Sequence, residues 1–93
     1  MIVGVLELQV GLFEAFNLKD KRRVLRSVKD RLHNTFNVSV AEVGENDNLR
    51  AAQLGVAMVA NERRFVESAL SKVVDFVRRA PQITLIDYTI ETF

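Results

Sequence analysis

Residues 51–92 read AAQLGVAMVANERRFVESALSKVVDFVRRAPQITLIDYTIET, and this stretch decides the fold. Its opening alternates, with Leu54, Val56, Met58 and Ala60 sharing one face of a strand. Asn61 then offers an N-cap, and helical spacing runs from Glu62 to about Ala80. Phe65, Val66, Ala69, Leu70, Val73, Val74, Phe76 and Val77 cover about half of that cylinder at ~100° per residue, which predicts a wide buried face. Pro81 stops the helix. Alternation returns from Gln82 to Thr92, where Ile86, Tyr88 and Ile90 oppose Asp87, Thr89 and Glu91. The segment is a strand, a helix and a strand.

Working outward, the first half repeats the plan. Ile2 to Leu12 is a strand in which Leu6, Leu8, Val10 and Leu12 alternate with Glu7, Gln9 and Gly11. Gly4 and Gly11 mark a bulge or a close backbone approach. Phe13 to Asn17 connects it to a helix. Asn17 is the N-cap, and Asp20 completes a capping box with a shorter acid than usual. The helix runs from Leu18 to about Phe36, with Leu18, Leu25, Val28, Leu32 and Phe36 on one stripe flanked by Val24 and Thr35. Asn37 ends it. Val38 to Val43 is a short strand, and Gly44 to Asn48 a polar turn.

The order is β-α-β-β-α-β. Two split β-α-β units predict an α+β, ferredoxin-like fold: a four-stranded antiparallel sheet with two helices on one face. Right-handed crossovers put the first and third strands in the centre. Residues 1–93 form a single domain, without linker or low-complexity tract.

Composition removes several function classes. There is no cysteine, so thiol catalysis and cysteine-ligated metals are excluded. His33 is the single histidine, and no Gly-rich phosphate loop or nucleophile–base motif exists, so the expectation is no enzyme, no metal and no cofactor. Glu42, Glu45 and Asp47 sit near the polar turn but lack the EF-hand spacing. The N-terminus has no basic n-region, and the longest uncharged apolar run, Leu54 to Ala60, is far short of the ~20 residues that span a bilayer. The expectation is a cytoplasmic protein with no membrane partner.

Net charge is only +1, but its distribution is uneven. Seven of the 13 basic residues fall between Lys19 and Arg31, offset only by Asp20 and Asp30. Lys19, Arg22, Arg26, Lys29 and His33 lie on one arc of the first helix, with Arg23 beside them, at spacings of three and four residues. Lys19, Lys21, Arg22 and Arg23 crowd the first two turns, the positive end of the helix dipole, where a cation in the first turn costs roughly 0.3–1 kcal/mol. Such a stripe fits either a solvated face or a partner that supplies negative charge. Phosphates are the obvious candidate, with the helix N-terminus adding free backbone N–H groups.

The other sheet face is the second candidate surface. If the even positions of the first and third strands pack under the helices, Val3, Val5, Ala57 and Val59 face away. They are either scattered surface residues or a homodimer or partner interface. Tyr88 faces either way, because Ile83-Thr-Leu-Ile blurs the phase. Neither central strand carries the aromatic residues that an RRM uses to stack bases, so RNA bound here is held by phosphate contacts and shape.

Three blocks carry a family resemblance: Asn17-Leu-Lys-Asp-Lys-Arg-Arg-Val-Leu-Arg-Ser-Val-Lys-Asp-Arg-Leu, Phe36-Asn-Val-Ser-Val-Ala-Glu-Val and Leu54-Gly-Val-Ala-Met-Val. With the closing Leu85-Ile-Asp-Tyr, the chain resembles the YlxP-like bacterial proteins, domain of unknown function 503, over essentially its whole length. The resemblance implies a small ferredoxin-like protein with no established activity. It also implies a gene setting among translation genes, near that for ribosome-binding factor A. The family's basic block maps onto Leu18 to Arg22, and its Lys-Asp-Arg-Leu block onto Lys29 to Leu32. Where the family often has Trp after the second strand, this chain has Leu49.

Two functional expectations follow. The first is a non-enzymatic accessory protein that binds RNA or a ribosomal subunit through Lys19, Arg22, Arg23, Arg26, Lys29 and His33. The second is a homo-oligomeric interaction or ligand-sensing module that uses the open sheet face.

Overall fold

The computed structural model describes residues 1–93. The elements are β1 (Ile2–Gly11), α1 (Leu18–Thr35), β2 (Ser39–Gly44), β3 (Ala51–Ala60), α2 (Arg63–Arg79) and β4 (Thr84–Thr92). The sheet order is β2-β3-β1-β4, and every neighbouring pair is antiparallel. This is the ferredoxin-like α+β arrangement expected, with β1 and β3 in the centre. Helix α1 lies over β2, while α2 lies over β1, β4 and β3.

The alternation of β1 and β3 sets the layers. Leu6, Leu8, Val10, Leu54, Val56 and Met58 point under the helices and are buried. Leu25, Val28 and Leu32 from α1 and Val66, Leu70, Val73 and Val77 from α2 meet them. Each such side chain contributes about 1.5–3 kcal/mol on burial. Both glycines of β1 serve close approach. A Cβ at Gly4 would overlap Val66 Cγ1 and lie 2.8 Å from Leu70 Cδ1, so its absence lets α2 settle on the strand. A Cβ at Gly11 would lie 2.6 Å from the Phe13 ring.

Aromatic contacts join the helices at one end. Phe36 meets Phe76 edge to face at 6.0 Å, and the Arg31 guanidinium sits 5.3 Å from the Phe76 centroid. Arg31 is thereby spent on packing.

Several boundaries and faces differ from expectation. Phe36 is the extended C-cap of α1 rather than its last residue. Glu62, not Asn61, is the N-cap of α2: the Glu62 carbonyl accepts the first helical bond from Val66 N–H at 3.2 Å, which leaves Asn61 one residue too early to cap. Phe65 and Leu18, both assigned to apolar stripes, are exposed in the first turns of their helices. Tyr88 pairs opposite Leu8 and so shares the helix-covered side, but β4 is an edge strand and the ring stays exposed. The β1–β4 register shifts at Gln9/Val10, which leaves Ile86 as the extra residue.

Candidate nucleic-acid interface

Helix α1 begins where Asn17 leaves extended geometry. Asn17 Oδ1 accepts from Asp20 N–H at 2.8 Å, as the capping box requires. The Asp20 carboxylate reaches back one residue beyond the cap, accepting from Phe16 N–H at 3.2 Å through Oδ2. Its Oδ1 accepts from Arg23 Nη2 at 3.2 Å. The N-terminus expected to be open to an anion therefore carries a carboxylate of its own. The side chains of α1 are then the groups left for phosphate contacts.

Those side chains are in place. Lys19, Arg22, Arg23, Arg26 and His33 are exposed, and Lys29 is half-buried at the flank of the core stripe. Lys19, Arg22, Arg26 and Lys29 make no ion pair, while Arg23 is held by Asp20. From Lys19 to His33 the arc extends about 21 Å, at ~1.5 Å per residue.

Lys21 leaves this cluster. It lies four residues before Leu25 on the stripe that continues to Val28 and Leu32, and it is only 2% exposed. Its Nζ donates to Glu45 O at 2.7 Å and Asn48 O at 2.6 Å, and sits 3.0 Å from Glu42 Oε2. The two carbonyls accept hydrogen bonds, while the buried Glu42 Oε2 supplies the counter-charge without accepting a hydrogen bond. The β2–β3 connection is shaped to receive it. Glu45 has φ 60°, Asn48 N–H donates to Glu45 O at 3.0 Å, and Arg50 N–H to Asn48 Oδ1 at 2.9 Å. What the sequence presents as a fourth cation at the helix start is a clasp between α1 and the hairpin. The missed signal was spacing: position 21 falls on the apolar stripe, and only its chemistry concealed that. Leu49, in the same connection, packs against the core, so the position offers no stacking surface.

The open sheet face assembles the other predicted group. Val3 pairs with Val59 and Val5 with Ala57, so the four residues form two adjacent cross-strand pairs. Ala57 and Val59 are exposed, while Val3 and Val5 are half-buried. Phe93, 66% exposed, extends the first row through backbone bonds in both directions with Val3. By register, Glu7, Asp87 and Glu91 share this face, and no Lys or Arg does.

A family model described as "Protein of unknown function (DUF503)" matches residues 3–90. The chain belongs to the DUF503 family. Another protein like it is the "Uncharacterized protein YlxP" of Bacillus subtilis (strain 168), 34% identical over 82 residues, which are 88% of this chain and 89% of that protein. The YlxP-like resemblance read in the three sequence blocks therefore holds. Among solved structures, this DUF503 chain is similar to the apo form of LarC2, the C-terminal domain of a cyclometallase involved in the synthesis of the NPN cofactor of lactate racemase. That likeness has a TM-score of 0.46 at 17% identity, and covers 100% of this chain and 56% of the other, so this chain spans about half of that structure. In this DUF503 protein no group of three or more His, Asp or Glu is placed to hold a metal ion. No helix is long and apolar enough to cross a membrane.

Proposed function

We propose that this DUF503 protein is a non-enzymatic accessory protein that binds RNA, on the ribosome or its precursors, through the outer arc of α1. The observation that carries the reading is the row Lys19, Arg22, Arg26 and Lys29, four cations on one helix face with no acid paired to any of them. Neighbours three and four residues apart repel by about 0.2–0.5 kcal/mol per pair, and a polyanion relieves that repulsion. Guanidinium forks suit phosphate oxygens, and a helix face presents them at regular intervals.

The test is co-sedimentation with ribosomal subunits and with free structured RNA, at low and near-physiological salt, beside Arg22→Glu/Arg26→Glu. Both positions are exposed, so the variant should fold. Binding that weakens with salt and disappears in the variant supports the reading. Equal binding by the folded variant sinks the assignment to α1, and absence of binding at either salt sinks RNA as the partner.

A second reading rests on a separate observation, the contiguous apolar row of Phe93, Val3 and Val59 on the open face. A second copy seated there would have to centre on this end, because Glu7, Asp87 and Glu91 repel their own copies elsewhere. Light scattering over a range of concentrations decides it: a dimer that Val59→Asp dissociates supports this reading, and a concentration-independent monomer removes it.

A further inference from the structure

Two features meet the cationic row at its N-terminal end, and neither is explained by phosphate binding. One is Phe16. It occupies the position before the N-cap, which often packs on the fourth helical residue. Here that residue is Lys21, whose side chain is committed to the hairpin. Phe16 is left without its usual partner and is 82% exposed. Its backbone is nonetheless fixed, because Phe16 N–H donates to Asp20 Oδ2 at 3.2 Å. An aromatic ring on an anchored backbone is a presented ring rather than a trailing one.

The other feature is a notch of 320 Å³ between the β1–α1 connection, α1 and the α2–β4 connection. Leu12 and Val24 give it apolar lining, and Glu14, Asp20, Arg23 and Ser27 supply polar groups. Its volume is at the lower end of small-ligand sites. The polar set argues against a bare anion, since two carboxylates face one guanidinium. It suits a flat group that both donates and accepts. Carboxylates accept from amino or imino N–H, while Arg23 and Ser27 donate to ring nitrogens or carbonyl oxygens. The edge of an unpaired nucleobase has that mixture. Asp20 and Arg23, joined at 3.2 Å, form the boundary that the notch shares with the row of Lys19, Arg22 and Arg26.

We infer that this corner takes unpaired bases of a single-stranded RNA, with Phe16 stacking one base and the notch admitting the edge of another, while the phosphates run along α1. The inference rests on the RNA reading above and adds the kind of RNA. A cationic groove beside aromatic rings is how single strands are held without a sequence code. Duplex RNA cannot use the corner, because its bases are already stacked and paired.

The probes are a short unstructured single-stranded RNA of mixed sequence and a duplex of equal length, titrated at one salt concentration. Phe16→Leu keeps an apolar side chain at an exposed position, and Ser27→Leu fills the notch with a good helix former. The wild type should prefer the single strand. Phe16→Leu should weaken single-strand binding fivefold or more, the lower end of what one base–aromatic stack contributes. Ser27→Leu should also weaken it, and neither variant should change duplex affinity or the slope against salt. Wild-type preference for the duplex, or single-strand affinity untouched in both folded variants, overturns the inference and leaves salt-dependent RNA binding standing. Binding of neither RNA removes the parent reading and this one together. Binding to anionic phospholipid vesicles but to no RNA overturns it in favour of a lipid surface.

Discussion

Replacing Lys21 by Met keeps much of the length and apolar stem of the side chain and removes only its charge and donors. Two carbonyls, Glu45 O and Asn48 O, then lose a hydrogen bond, and the buried Glu42 Oε2 loses its counter-charge. Breaking one side of a buried ion pair costs about 3–5 kcal/mol, because the remaining charge stays desolvated. The Glu42 side chain is 23% exposed, so water recovers part of that loss and the lower end, about 3 kcal/mol, is the expected value. For a domain of this size that equals a fall in Tm of roughly 12–24 °C. Urea unfolding followed by far-UV circular dichroism measures it, with Lys19→Met as the exposed control, expected to shift stability by no more than about 0.5 kcal/mol. A second variant separates the clasp from general disruption. In Lys21→Met/Glu42→Leu the orphaned carboxylate is gone, so much of the loss should return. A loss below about 1 kcal/mol for Lys21→Met, or no recovery in the double variant, would refute the assignment of Lys21 to a buried ion pair.

Three further outcomes are expected. Gly4→Val should destabilise the fold by several kcal/mol, because the added methyls enter the space of Val66 and Leu70; the check is whether thermal unfolding shifts strongly while an exposed control, Gln9→Val, does not. Asn17→Ala should lower stability by about 1 kcal/mol through loss of the bond to Asp20 N–H, and Asn17→Asp should restore it, both read by urea titration. If the four unpaired α1 cations contact phosphates of a single strand, log K should fall against log salt with a slope of about −2.8, and Arg22→Glu/Arg26→Glu should reduce that slope to about −1.4 or less in magnitude; an unchanged slope would place the contacts elsewhere.

The fold was legible because its signals are local and agree with one another. Period-two alternation in β1 and β3, the Asn17 cap, and the wide apolar face ending at Pro81 each point to the same order of elements. The exposed arc of α1 was also legible, since helical geometry alone puts Lys19, Arg22 and Arg26 side by side. Three things were not. Lys21 reads as one more cation until the hairpin brings two carbonyls and a carboxylate to it, a contact spanning more than twenty residues. The Asp20 carboxylate reads as half of a capping box, and only the fold shows that it accepts from Phe16 N–H and so adds a negative charge at the helix end. The notch is built from the β1–α1 connection, α1 and the connection before β4, so no single stretch of sequence contains it.

The open sheet face carries Glu7, Asp87 and Glu91 without a cation, while the outer side of α1 carries Lys19, Arg22, Arg23 and Arg26. Little of the molecule separates the two, since its shortest dimensions are 21 and 17 Å. A near-neutral total therefore conceals a permanent electric dipole directed across the sheet. Such a molecule turns before it touches: in the field of any polyanion the helix side leads and the carboxylate side trails. A copy docked through α1 would leave the negatively charged sheet face outward, with an apolar end uncovered at Val59 and Phe93.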